Sequence, residues 1–230
     1  MNTSVLTKPV DEVVIRICKN ATILVEEIAD GIINSKFIHP DDLFNCIKAS
    51  TSHVGIESGI LPENTVFYRE EQDDTRRLIL KLPAGYHDIT YYETQYPSFP
   101  LPAMVFGFVI RADGHISSKK LAIVEDGHLR NETRIYSYPF SNVNQYDFEI
   151  CVGRNRLPEI QELRQLSSLP HLILSMPNND DYFSSKYNRK GMDYREFLEY
   201  LKDREPWSYY EDVLEQSSIN FNGFLQILKH

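Results

Sequence analysis

The chain has 230 residues, with 24 Lys+Arg against 33 Asp+Glu, a formal net charge of −9 and a pI of about 5.3. That acidic balance argues against non-specific nucleic-acid binding, which needs basic side chains to neutralise phosphates. With 42% hydrophobic residues, 12 Phe and 14 Tyr among the whole, the chain can bury a real core, which excludes disorder throughout.

The first half reads as strands. Residues 21–27 and 32–38 flank Asp30-Gly31, a turn dipeptide, and predict a hairpin. His39-Pro40-Asp41-Asp42 then starts a short helix, with Pro suited to the first turn and acids to the positive end of the dipole. Leu43, Phe44 and Ile47 would be its buried stripe, ending near Ser50. Residues 65–69 and 77–82 are two further strands around a charged turn. The Pro- and Tyr-rich stretch 91–102 carries three prolines in six residues and cannot be a central strand, so it reads as a link. A boundary is placed there, at about residue 95, giving residues 1–95 as a β-rich N-terminal extension and 96–230 as the second domain.

Residues 103–111 and 116–124 are apolar β runs joined through Asp113-Gly114, a strong hairpin signal, with 133–137 as a third strand. An irregular stretch then delivers Ile150-Cys151-Val152-Gly153. Beyond it the periodicity turns helical: a segment opens at Leu157-Pro158-Glu159 and runs to about Ser167, with Pro170 as an interruption. Residues 194–201 and 209–214 have helical spacing, and the tail 219–228 is apolar enough to dock. Strands first and helices last make the fold α+β.

Cys18, Cys46 and Cys151 are odd in number and widely spaced, without a CxxC pair, so neither a disulfide framework nor a structural zinc site is expected. Residues 1–10 lack a basic region followed by an apolar run, and no apolar run approaches a membrane span of about 18 residues. These features fit a reducing, cytoplasmic compartment with no membrane or nucleic-acid partner. There is no GxGxxG, P-loop or HExxH, so no cofactor or metal is expected.

Cys18 and Cys46 sit in apolar periodic segments and read as packing residues. Cys151 differs: it follows a strand, stands beside a glycine, and precedes Arg154, Arg156 and a helical segment. A thiol near cations or a helix N-terminus has its thiolate favoured, which makes a better nucleophile, although cysteine is also among the most buried residue types.

Residues 138–153, YPFSNVNQYDFEICVG, resemble the active-site segment of ubiquitin-conjugating enzymes, in which a His-Pro-Asn turn precedes the cysteine. Phe140-Ser141-Asn142 occupies the turn and Cys151 follows Asn142 by nine residues. The chain resembles more closely the prokaryotic ubiquitin-conjugating-enzyme-like family D, the PRTRC system protein B-like group. Pro139, Phe140, Asn142, Val143, Cys151 and Gly153 fit its pattern. Leu61-Pro62-Glu63-Asn64-Thr65-Val66, Leu82-Pro83-Ala84-Gly85 and Leu101-Pro102-Ala103-Met104-Val105-Phe106 resemble its upstream landmarks. The likeness spans about residues 60–190.

The resemblance implies an antiparallel meander sheet with C-terminal helices, and a thioester to a ubiquitin-like protein on Cys151. Asn142 would donate to the oxyanion, though Asn in a turn also bonds its own backbone. Asp181, in Met176-Pro177-Asn178-Asn179-Asp180-Asp181, matches the acid of a downstream Pro-Asn-x-Asp-Asp loop, which could equally be a solvated turn. Implied partners are the ubiquitin-like protein and a ThiF-type activating enzyme, in a bacterial, often plasmid-borne or mobile setting. The pattern departs where the turn His is replaced by Phe140, and residues 182–188 also lack a His. A non-catalytic scaffold of the same fold is the alternative, and a plasmid-maintenance factor without thioester chemistry a third.

Overall fold

A computed structural model describes residues 12–19, 22–51 and 58–229. The chain forms two compact units, residues 1–58 and 59–230.

The first unit holds β1 (Glu12–Ile17), β2 (Ile23–Ala29) and β3 (Ile32–Ile38), an antiparallel sheet in that order, followed by α1 (Pro40–Thr51). Asp30 and Gly31 both have positive φ, 51° and 75°, as a tight two-residue hairpin turn requires, and Ala29 pairs with Ile32. Pro40, Asp41 and Asp42 start α1 as read from sequence. Its buried stripe is absent: Phe44 and Ile47 are exposed and Leu43 is half-buried. A unit this small has much surface for its volume, and Ile23 is the one buried hydrophobic residue among its described residues. For the same reason Cys46 is exposed and Cys18 half-buried, where packed positions were expected.

The second unit continues with β4 (Thr65–Glu70), β5 (Arg76–Leu82), β6 (Gly85–Tyr91), β7 (Thr94–Leu101), β8 (Met104–Ile110), β9 (Ile116–Val124) and β10 (Arg134–Tyr136). Then come α2 (Leu169–Leu174), α3 (Tyr194–Leu201), α4 (Tyr209–Asp212), β11 (Gln216–Asn220) and α5 (Phe221–Lys229). Six strands form one antiparallel sheet in the order β11-β10-β9-β8-β5-β4, and β6 and β7 form a separate ribbon. The architecture is α+β, and the expected hairpin and third strand are in place: β9 pairs with β8, and β10 joins the same sheet by pairing with β9. No helix among the described residues is long and apolar enough to cross a membrane.

Every residue of β8, MVFGFVI, is buried. Side chains alternate across a strand, so a run without a polar face must be covered on both sides. One cover contains Tyr96, Phe99, Phe140, Leu166, Phe197 and Tyr209, which join Leu78, Leu80, Phe106 and Leu121 in a single core. The other is α5, whose Phe221, Phe224, Leu225 and Leu228 follow the i, i+3, i+4, i+7 pattern and meet Ile79, Val105 and Ala122. Gly107 permits this approach, since a Cβ there would stand 3.0 Å from a Leu228 methyl. The Arg77 guanidinium donates to the Leu228 carbonyl at 2.6 Å, satisfying an acceptor at the end of α5.

Three expectations are corrected. Residue 95 lies inside β7, and β4 and β5, assigned to the N-terminal extension, belong to the same sheet as β8. The division falls instead between Ser58 and Gly59. The 91–102 stretch is not a link but the far side of the β6–β7 hairpin. Pro97 and Pro100 are tolerated because a two-stranded ribbon has open edges, where a missing N–H breaks no ladder bond. Pro170 stands in the first turn of α2 and opens it rather than interrupting a helix; the preceding helical turn is a 3₁₀ segment, Leu163–Ser168.

The Asp113-Gly114 turn is held from outside: the Gly114 carbonyl accepts from Ile160 N–H at 2.8 Å. Gly114 has φ 84°, and a Cβ there would come within 2.7 Å of the Ile160 carbonyl oxygen. Gly114→Ala therefore incurs both left-handed strain and a backbone clash, and should lower stability by about 2 kcal/mol or more. Urea denaturation checks this; an unchanged midpoint would show that the turn relaxes freely.

Candidate active site

The segment bearing Cys151 is anchored by aromatic packing. Phe140, 2% exposed, lies among Tyr138, Phe197, Phe99 and Tyr209, with ring centroids 5.3–6.2 Å away. Burying an aromatic ring this way contributes on the order of 2 kcal/mol. The chain then turns at Asn142, whose φ of 63° is a conformation Asn adopts more readily than most residues. Val143 bridges Ile150 in antiparallel fashion, and both are buried. The loop closes where Cys151 N–H donates to the Asn142 carbonyl at 2.8 Å.

The loop's return arm is stitched to β9 beyond the point where β10 has ended. Leu121 N–H donates to the Phe148 carbonyl at 2.9 Å, and Ile150 N–H to the Lys119 carbonyl at 2.8 Å. Glu149 accepts from Ser118 Oγ at 2.7 Å and Lys119 Nζ at 3.0 Å, and pairs with Lys120 Nζ at 3.3 Å. Burial alone would raise the Glu149 carboxyl, but the Ser118 and Lys119 hydrogen bonds outweigh it and hold the group below its ordinary value.

A third segment, 177–181, meets the first two. Asn142 N–H donates to the Asp181 carbonyl at 2.8 Å, and Asn142 Nδ2 to the Pro177 carbonyl at 3.3 Å. Asn178 is fastened to β6: its N–H and its Nδ2 both donate to the Thr90 carbonyl, at 2.7 and 3.1 Å. The Asp180 carboxylate accepts from Tyr91 at 2.7 Å and from Tyr92 at 3.0 Å. Asp181 is exposed, its carboxylate accepting from Asn179 Nδ2 at 2.8 Å.

Two backbone hydrogen bonds thus run in series, Cys151 to Asn142 and Asn142 to Asp181, and join the three residues singled out from sequence. Cys151 is half-buried and borders a cavity of about 30 Å³ that Asn142, Val143, Met176, Asn178 and Tyr194 also line. That volume holds one or two waters. Arg154 and Arg156 are exposed, and helical structure begins only at Leu163, so no helix N-terminus stands directly behind Cys151 as the sequence had suggested.

Sequence reasoning did not single out Ser141, Asn178, Tyr194 or Asp180. Ser141, 1% exposed, receives polar company on two sides: its Oγ donates to Asn178 Oδ1 at 3.1 Å, and its N–H donates to Tyr194 Oη at 3.3 Å. Burial pushes the Tyr194 hydroxyl well up, so it stays protonated. Ser141 and the two 177–181 residues lie inside the motifs quoted above, but nothing in the sequence says they face one another. Among the described residues, no group of three His, Cys, Asp or Glu side chains is arranged to hold a metal ion.

No family model matches the chain, no curated protein matches it, and no solved structure matches it.

Exposure predicts the order of thiol labelling in the folded protein: Cys46 first, then Cys151 without denaturant. Labelling of Cys151 only after unfolding would remove it as a nucleophile. Tyr91 is pushed up to about 12, first by burial and then by its bond to Asp180. Its contribution to stability is present below its unfolded value of 10.0 and is lost as pH rises through about 12. Asp180→Asn should narrow that alkaline loss and move the Tyr91 and Tyr92 absorbance steps towards lower pH. An unaltered titration would mean that Asp180 does not govern Tyr91.

Proposed function

We propose that this chain is an acyltransferase of the ubiquitin-conjugating type, carrying a ubiquitin-like protein as a thioester on Cys151 and passing it to an acceptor. The observation that carries the reading is the serial backbone connection of Cys151, Asn142 and Asp181 at the rim of the cavity that Cys151 borders. An antiparallel sheet of which five strands precede the helices α2 to α4 and the sixth, β11, follows them is compatible with a ubiquitin-conjugating-like fold, with α5 covering the second face.

In this reading the Cys151 thiolate attacks the thioester carbonyl on a ThiF-type activating enzyme. A new C–S bond forms, and the activating enzyme's sulfur leaves as a thiolate. An acceptor amine then attacks the same carbonyl carbon, the C–S bond to Cys151 breaks, and the amine's proton passes to Asp181 or to water. The oxyanion formed at each step is met by Asn142. Its amide nitrogen carries two hydrogens, of which the Pro177 bond uses one. The setting would be a cytoplasmic accessory system of a plasmid or mobile element.

A second reading, a scaffold that binds a ubiquitin-like protein without chemistry, is favoured by one feature. Phe140, at the turn position that holds a His in ubiquitin-conjugating enzymes, is packed into the core and offers no titratable group.

Incubation with the ubiquitin-like protein, the activating enzyme and ATP should give an adduct cleaved by reducing agent. Cys151→Ser should yield a more stable ester or none, and Cys151→Ala none. Asn142→Ala should charge but discharge on the order of 10²-fold more slowly, if its amide donates to the oxyanion. An adduct that persists in Cys151→Ala would sink the enzyme reading and leave the scaffold.

A further inference from the structure

Both edges of the N-terminal sheet expose apolar side chains, but they differ at the centre. On β3, Ile32, Ile33 and Phe37 are 60%, 60% and 67% exposed, while Asn34-Ser35-Lys36 between them is polar, with a lysine of the sort that discourages strand addition. The β1 edge reads Glu-Val-Val-Ile-Arg-Ile, without proline or lysine, and its Val13, Ile15 and Ile17 are 53%, 46% and 79% exposed. These three alternate residues share one face of the strand. An exposed edge of β-branched residues is a template for pairing.

The residue order selects the partner. A two-fold axis perpendicular to the sheet keeps each face on its own side, so a strand that pairs with its own copy must match residues of like parity. Of the registers this allows, the one centred on Val14 sets Glu12 opposite Arg16 and Val13 opposite Ile15, each twice. A register centred on Val13 sets Glu12 opposite Val14, and one centred on Ile15 sets Arg16 opposite Val14. Only the Val14 register aligns opposite charges and continues the apolar stripe across the junction. Arg16 is also oriented within its own sheet, by Glu26 Oε2 at 3.0 Å.

We propose that β1 pairs antiparallel with β1 of a second copy of this chain, centred on Val14. The pairing makes a continuous six-stranded sheet from two three-stranded ones. The interface is isologous, so it closes at two copies, and each particle carries two copies of Cys151. The proposal rests on the N-terminal sheet alone and stands apart from the thioester chemistry.

Sedimentation and native mass spectrometry of the full chain test it, with a charge-exchange pair as the decisive arm. Glu12→Arg faces Arg with Arg, and Arg16→Glu faces Glu with Glu, so each variant alone should dimerise about tenfold more weakly than the parent. Mixed in equal amounts, the two variants restore both opposite-charge pairs and should form a heterodimer of near-parental strength. Hydrogen exchange on the unsubstituted chain gives a readout free of any folding defect: amides of β1 should gain protection as concentration rises, and those of β3 should not. A chain monomeric at all concentrations, variants that dimerise like the parent, a mixture that fails to associate, or concentration-dependent protection at β3 instead would each overturn the proposal.

Discussion

The architecture of the larger unit depends on one constraint, the lack of a polar face on β8. A strand buried on both sides obliges the chain to supply two covers. The C-terminal helix provides one and the β6–β7 ribbon with the helices beyond residue 160 provides the other. This demand explains why segments far apart in sequence converge. Arg77 reaches the end of α5, and the Tyr209 hydroxyl donates to the Pro100 carbonyl at 2.8 Å. Cost and benefit are of the same order across the layer: each buried aromatic or leucine contributes on the order of 2 kcal/mol, and an unpaired buried carbonyl would forfeit a similar amount.

The candidate site arises where the sheet is left incomplete. β10 covers only the end of β9, so the earlier part of β9 accepts residues 148–150 in its place. That substitution positions the return arm, and the turn at Asn142 then sets Cys151 against it. The polar groups of the turn are satisfied from the side by 177–181, which is itself bolted to the end of the β6–β7 ribbon through Asn178 and Asp180. Removing the ribbon would unfasten the loop as well as uncover the core. The site is therefore a by-product of closing the second layer, held by backbone bonds rather than by helix ends.

The first unit shows the opposite balance. It has hairpin geometry and a helix start with acids in its first turn, but little interior, and Val13, Ile15, Ile17, Ile32 and Ile33 remain at the surface. Local rules suffice to form its elements; a small sheet and one helix do not enclose them.

The sequence by itself determined the local elements. Asp30-Gly31 and Asp113-Gly114 specify their hairpins because few residues accept positive φ, and the apolar content of the tail marks a segment that docks. It also brought Cys151, Asn142 and Asp181 to notice, as residue types in an order. Tertiary structure alone decided the rest. It moved the division from residue 95 to Ser58, because β5 pairs with β8 across an inserted ribbon, and pairing between distant strands leaves no local trace. It turned the proline-rich stretch into a strand, since a ribbon edge forgives a missing donor. It exposed Cys46 and Phe44 on an amphipathic helix, because periodicity tells which side is apolar but not whether anything covers it. It surrounded Ser141 with Asn178 and Tyr194, contacts that exist only once the second layer has closed over the sheet.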